Sequence, residues 1–189
     1  MRQIILFIII FSYYQSYSQL ISEFSRDEKG DMLFTEIVTV DSSSKDELYL
    51  NASSFFANQF KSANHVIQLQ DKQAGVLIGK GTGKIYNDED AVMTTVYNFN
   101  FTMRITVKDN RYKYEIYGIS FFTQPALPYY PNGVQFSQHD MFDSTVYYKS
   151  NGKPKPRFEK SKNALIKSIN DIVNSLNREM KVATKRDEW

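Results

Sequence analysis

Cysteine is absent from all 189 residues. That excludes a disulfide framework, a thiol nucleophile, a thiolate zinc site, an iron–sulfur cluster and a lipid-modified cysteine. Histidine is scarce: His65 and His139 are the only two, which leaves little for metal ligation or acid–base work. An excess of charge of one sign is also missing. Lys plus Arg number 23 against 21 Asp plus Glu, a net charge of +2, so net charge offers no electrostatic case for nucleic acid or an anionic membrane as partner. Long hydrophobic runs are lacking too. The unbroken apolar stretch over residues 4–11 falls well short of the roughly 20 residues needed to span a bilayer. What the chain does have is 42% hydrophobic and 23% charged residues, an ordinary globular balance in one domain's length. It is rich in aromatics, with 14 Phe and 13 Tyr.

The apolar stretch has a clear reading. Arg2 is the only charge before Glu23, and Ser16-Tyr17-Ser18 places small residues three and one positions ahead of Gln19. A basic start, a short apolar core and small residues in that order predict a secretory signal peptide over residues 1–18, cut before Gln19. Export without cysteines fits a periplasmic or released bacterial protein, so the sequons at Asn51 and Asn100 read as chance matches. No other segment is expected to cross a membrane.

Residues 19–31 are polar and read as a flexible leader. A single domain is expected over 32–183, with a tail at 184–189. Residues 33–40 are rich in Ile, Val, Thr and Phe and predict a strand. Ser44-Lys45-Asp46-Glu47 has the spacing of a capping box. Leu48, Ala52, Phe55, Phe56 and Phe60 follow at helical spacing, which predicts a helix over 45–61. Strands are expected over 66–70 and 74–85. Then Tyr97, Phe99, Phe101, Met103, Ile105 and Val107 alternate with polar residues, giving a strand with one buried and one wet face. Asp109-Asn110 turns it into a hairpin partner over 111–122. All five prolines lie in a long connection at 123–157, where 146–148 has the makings of a short strand. From Phe158 a helical period returns through Leu165, Ile166, Ile169, Ile172, Val173, Leu176 and Met180. The expected fold is α+β: a two-layer sandwich with a mainly antiparallel five-stranded sheet, order β-α-β-β-β-β-α along the chain, and two helices on one face.

Four motifs carry a resemblance: Phe34-Thr35-Glu36-Ile37-Val38, Lys45-Asp46-Glu47-Leu48-Tyr49, Gly75-Val76-Leu77-Ile78-Gly79-Lys80-Gly81, and the run from Ile105 to Tyr114. Together they resemble a bacterial domain of unknown function with a fold like that of the TATA-box-binding protein, found in exported proteins of Bacteroidetes. The resemblance covers about residues 33–122. It implies that fold, and it brings no activity or catalytic residue. Nor does it imply DNA binding, because function sits in sites rather than folds.

Candidate chemistry is sparse. Gly79-Lys80-Gly81-Thr82-Gly83-Lys84 has glycines and lysines in the style of a phosphate loop. Ile78 stands where such a loop needs Gly, and Ile85 where it needs the metal-binding hydroxyl. Glycines marking close backbone approach are the expectation. Asn87-Asp88-Glu89-Asp90 lacks the ligand spacing of a calcium loop. His139-Asp140 is the one oriented base in prospect, but no nucleophile elbow accompanies it. No cofactor and no metal site is expected.

The expected function is that of an exported, non-catalytic interaction module; the alternative is a small periplasmic hydrolase with an unrecognised acid–base pair. Two surfaces compete for a partner, an unknown protein or envelope component. One is the long loop, where Tyr129 and Tyr130 sit between prolines with Phe136 behind them. The other is the wet sheet face around Arg104 and Tyr117. Rigidly held tyrosines make good anchors, which favours the loop.

Overall fold

The alternation over 97–107 sets the centre of the sheet. In the computed structural model, which describes residues 23–60, 67–87, 95–122, 134–142 and 148–182, it forms β5 (Thr95–Lys108). Asp109-Asn110 then turns the chain into β6 (Arg111–Phe122). Asn110 adopts φ 61°, a left-handed conformation that asparagine accepts more readily than most residues. The Asp109 carboxylate accepts from the Lys45 backbone N–H at 2.8 Å, tying the hairpin turn to the first turn of α1 (Lys45–Gln59).

Two strands flank this hairpin on each side. β4 (Val76–Asn87) pairs along β5, and β3 (Ile67–Asp71) pairs with β4. On the other side β2 (Met32–Thr39) pairs with β6, and the short β1 (Ser25–Arg26) with β2. All pairings are antiparallel, and the sheet order is β1-β2-β6-β5-β4-β3. β7 (Gln135–Ser137) adds to β6 beyond the end of β2.

A bulge breaks the hairpin register. Thr102 faces Tyr117 and Asn100 faces Ser120, so Gly118 and Ile119 together oppose Phe101. The extra residue reverses the side-chain alternation: Tyr112, Tyr114 and Ile116 are buried before it, Ile119 and Phe121 after it. Gly118 takes φ 63° with its nearest neighbour 3.6 Å from where a Cβ would stand, so backbone conformation rather than space requires glycine. Gly118→Val should therefore cost about 1–2 kcal/mol in thermal or urea unfolding. An unchanged midpoint would contradict the bulge.

Both long helices cover the same sheet face. The capping box forms as the sequence predicts: Glu47 N–H donates to Ser44 Oγ at 3.3 Å, and Ser44 N–H donates to Glu47 Oε2 at 2.9 Å. Leu48, Ala52, Phe55 and Phe56 are buried. The C-terminal helix begins at Pro156, inside the expected loop, because a proline at the first helical position loses no needed N–H. Its expected apolar face is buried throughout, from Leu165 to Met180. Buried Asn51 of α1 joins the two helices by donating to the carbonyls of Met180 (3.4 Å) and Val182 (2.9 Å) at the far end of the C-terminal helix.

The leader and the long connection contain more order than their composition suggests. Besides β1, residues 23–31 place Phe24 against Phe34 and Phe142, with ring centroids 6.0 and 6.4 Å apart. The long connection holds β7 and a short helix, α2 (Gln138–Phe142), ahead of α3 (Pro156–Met180). Tyr148 forms only an isolated bridge, to Pro154. Phe142, 1% exposed, closes one end of the core against Phe121 and Phe158. Elements this short show no periodicity to read. The expected signal segment lies outside the described residues, and no described helix is long and apolar enough to cross a membrane.

Candidate binding surface

The structure parts His139 from Asp140. His139 Nε2 lies 3.0 Å from Asp31 Oδ1, a residue far away in sequence. Asp140 instead completes a cap on α2: its carboxylate accepts from the N–H and the hydroxyl of Ser137, both at 2.8 Å. These bonds, the backbone one first, hold the exposed Asp140 carboxyl below its ordinary range. Gln138 fastens this corner, accepting from the Met32 N–H at 2.9 Å and donating to Asp31. His65 lies outside the described residues, and no group of ligands able to hold a metal occurs among those described.

The glycine-rich stretch runs within β4, with no helix opening after it. Gly79, Gly81 and Gly83 alternate onto the helix-covered face. A Cβ at Gly79 would stand 2.5 Å from the Phe56 ring. One at Gly81 would collide with Phe101 and lie 2.6 Å from Phe60, and one at Gly83 would collide with Phe99. The glycines make room for aromatic rings.

On the covered side two tyrosines of β6 make side-chain hydrogen bonds. Tyr112 donates to Asn177, whose buried Nδ2 has no partner among the described residues. Tyr114 donates to Glu36 at 3.0 Å. Burial first, and the Glu36 carboxylate second, push both phenols above their ordinary value. Both are therefore fixed hydrogen-bond donors.

The opposite face is left open. Among the described residues no helix packs over its centre; at the β4 edge Lys84 and Tyr86 border a cleft with Ala164, Lys167, Ser168 and Asp171 of α3. Cross-strand register places Lys80 and Lys84 of β4, Arg104 and Lys108 of β5, and Arg111 and Lys113 of β6 on this one surface. Glu115 is the only carboxylate that these three strands contribute. It lies 2.7 Å from Lys113 Nζ and 4.0 Å from Arg104 Nε. Arg104, Thr106, Lys108, Arg111 and Lys113, with Ile37 at the rim, line a shallow groove of about 490 Å³ at the hairpin end. Tyr117 is half-buried one pair further on, opposite Thr102. Arg104 and Tyr117 thus share the face expected of them. Tyr129 and Tyr130 lie outside the described residues, as do the side chain of Phe136 and residues 88–90 of the acidic turn.

Residues 34–122, from β2 to the end of β6, match the family model described as a domain of unknown function (DUF4468) with TBP-like fold. The chain carries a DUF4468 domain. The same architecture occurs in the crystal structure of a DUF4468 family protein from Bacteroides ovatus. That protein is 14% identical with a TM-score of 0.67, over 88% of this chain and 95% of that one. It also occurs in a TBP-like protein from Parabacteroides distasonis, 15% identical with a TM-score of 0.63, over 83% of this chain and 97% of that one. At such identities the likeness is one of fold. No curated protein matches the sequence.

Within the DUF4468 domain, sequence reasoning finds Arg104 and Tyr117 on this surface but misses Lys80, Lys84 and Arg111 as members of it. The alternation of β4 carried the signal: Lys80, Thr82 and Lys84 take the positions between glycines that must face the core.

Proposed function

We propose that this protein is an exported, non-catalytic interaction module of the bacterial envelope, and that the open sheet face is its working surface. One observation carries this reading: the helices are spent on one side of the sheet, while on the other side the three strands β4, β5 and β6 gather six cations and a single carboxylate. A bare sheet face needs no such segregation to stay soluble; interspersed charges of both signs suffice. The face, rather than the tyrosine loop, is the surface for which the observations speak. The N-terminal pattern of Arg2, an eight-residue apolar core and Ser16-Tyr17-Ser18 supports export.

The competing hydrolase rests on His139, which has Asp31 as its carboxylate partner. A screen of the purified protein against ester, peptide and glycoside substrates separates the two readings. The module should show no turnover that His139→Ala or Asp140→Ala abolishes; robust turnover lost in either variant would establish the enzyme. Production in a bacterial host should release a chain beginning at Gln19.

A further inference from the structure

We propose that the open face docks an acidic polysaccharide, with Lys108 and Arg111 as its principal anion contacts; this rests on the reading of that face as the working surface. Lys108 and Arg111 are paired across the hairpin end, and both are exposed. Neither has a carboxylate partner among the described residues, whereas Glu115 is engaged by Lys113 and Arg104. The two are therefore free to meet an incoming anion.

The remaining cations extend the site into a track. Arg104 and Lys108 are four residues apart on β5, as are Lys80 and Lys84 on β4, about 13 Å at the rise of an extended strand. A linear polymer bearing regularly spaced carboxylates or sulfates can meet them in succession, which a single small anion cannot. Between the cations stand Thr39, Thr102 and Thr106. Such hydroxyls suit the hydroxyls of sugars. At the groove Ile37, 64% exposed, is the one aliphatic side chain, while Leu69, Ile78 and Val96 lie scattered further along the face. A surface that enters a bilayer needs a larger apolar area, and one that kinks a duplex needs inserted wedges.

The test uses fluorescently labelled heparin and polygalacturonate, with neutral dextran as control, titrated by anisotropy at low and high salt. Binding to the acidic polymers, absent for dextran and weakened by salt, is expected. Lys108→Gln with Arg111→Gln should weaken it about tenfold. Lys149→Gln with Lys153→Gln, which removes the same charge from an exposed turn elsewhere, should change it less than about twofold. Lys80→Gln supplies an independent loss of about threefold, should the hairpin variant melt early. Equal loss in the two double variants, or no binding to either acidic polymer, would overturn the proposal. Tighter binding of single-stranded DNA or phosphatidylglycerol vesicles through Lys108 and Arg111 would overturn the polysaccharide assignment while keeping the face as the working surface. Site-specific crosslinking on the face tests that underlying reading separately, since it needs no assumption about ligand class.

Discussion

A chain that stops at Lys155, and so lacks α3, should not fold. Leu165, Ile169 and Leu176 are fully buried, and Ile172, Val173 and Met180 nearly so. Burying each such side chain is worth about 1.5–3 kcal/mol. Four of them approach the whole stability of a domain, about 5–15 kcal/mol. The loss reaches beyond area. Tyr112 would lose Asn177, and Asn51 would lose the carbonyls of Met180 and Val182, leaving polar groups that the sheet and α1 cannot satisfy. The expected product is insoluble, or molten with no near-ultraviolet circular dichroism. A soluble truncated chain with a cooperative thermal transition would show that α3 is dispensable.

Filling the space above β4 should be nearly as damaging. Gly79→Val drives its side chain into Phe56, which is fully buried, and should cost roughly 3 kcal/mol, the upper end for overpacking. Phe56→Ala removes the ring and should cost about 3–5 kcal/mol by leaving a cavity. The two changes relieve one another. The double variant should be more stable than the sum of the single losses by at least about 1 kcal/mol. Urea unfolding of the four proteins measures this. Strict additivity would mean that the glycine is required for some reason other than the ring above it.

Much of this fold is written in local periodicity. The strict alternation from Tyr97 to Val107 permits only a half-buried strand. The spacing from Leu165 to Met180 permits only a helix with one apolar face. Ser44 and Glu47 mark a helix start through a bond pattern that depends on four consecutive residues. The bulge at Gly118 is harder to read, because one inserted residue simply exchanges the two faces of a strand. β1, β7 and α2 are held by distant partners rather than by their own pattern: Gln138 is secured by Met32 and Asp31, and Phe142 by Phe24, Phe121 and Phe158.

The same distinction governs the surface. Arg104 and Tyr117 lie on strands whose faces the sequence assigns, so their exposure follows directly. The clustering of Lys80, Lys84 and Arg111 with them depends on inter-strand register. A net charge of +2 averages this face with the acidic remainder of the chain and hides it. His139 gives the opposite lesson. Its neighbour Asp140 suggests a pair, but Asp140 is the third residue after Ser137 and is consumed in capping α2, while Asp31 arrives from the leader.

The central claim is that the open face is where this module works. A photo-crosslinking amino acid placed at Thr102, at the middle of that face, or at Lys149, in an exposed turn away from it, tests this in bacteria producing the full chain. Irradiation should yield a discrete adduct from position 102 that is lost on adding Lys108→Gln and Arg111→Gln, and none from position 149. Adducts from position 149 alone, or from both positions equally and independent of the two cations, would contradict the account.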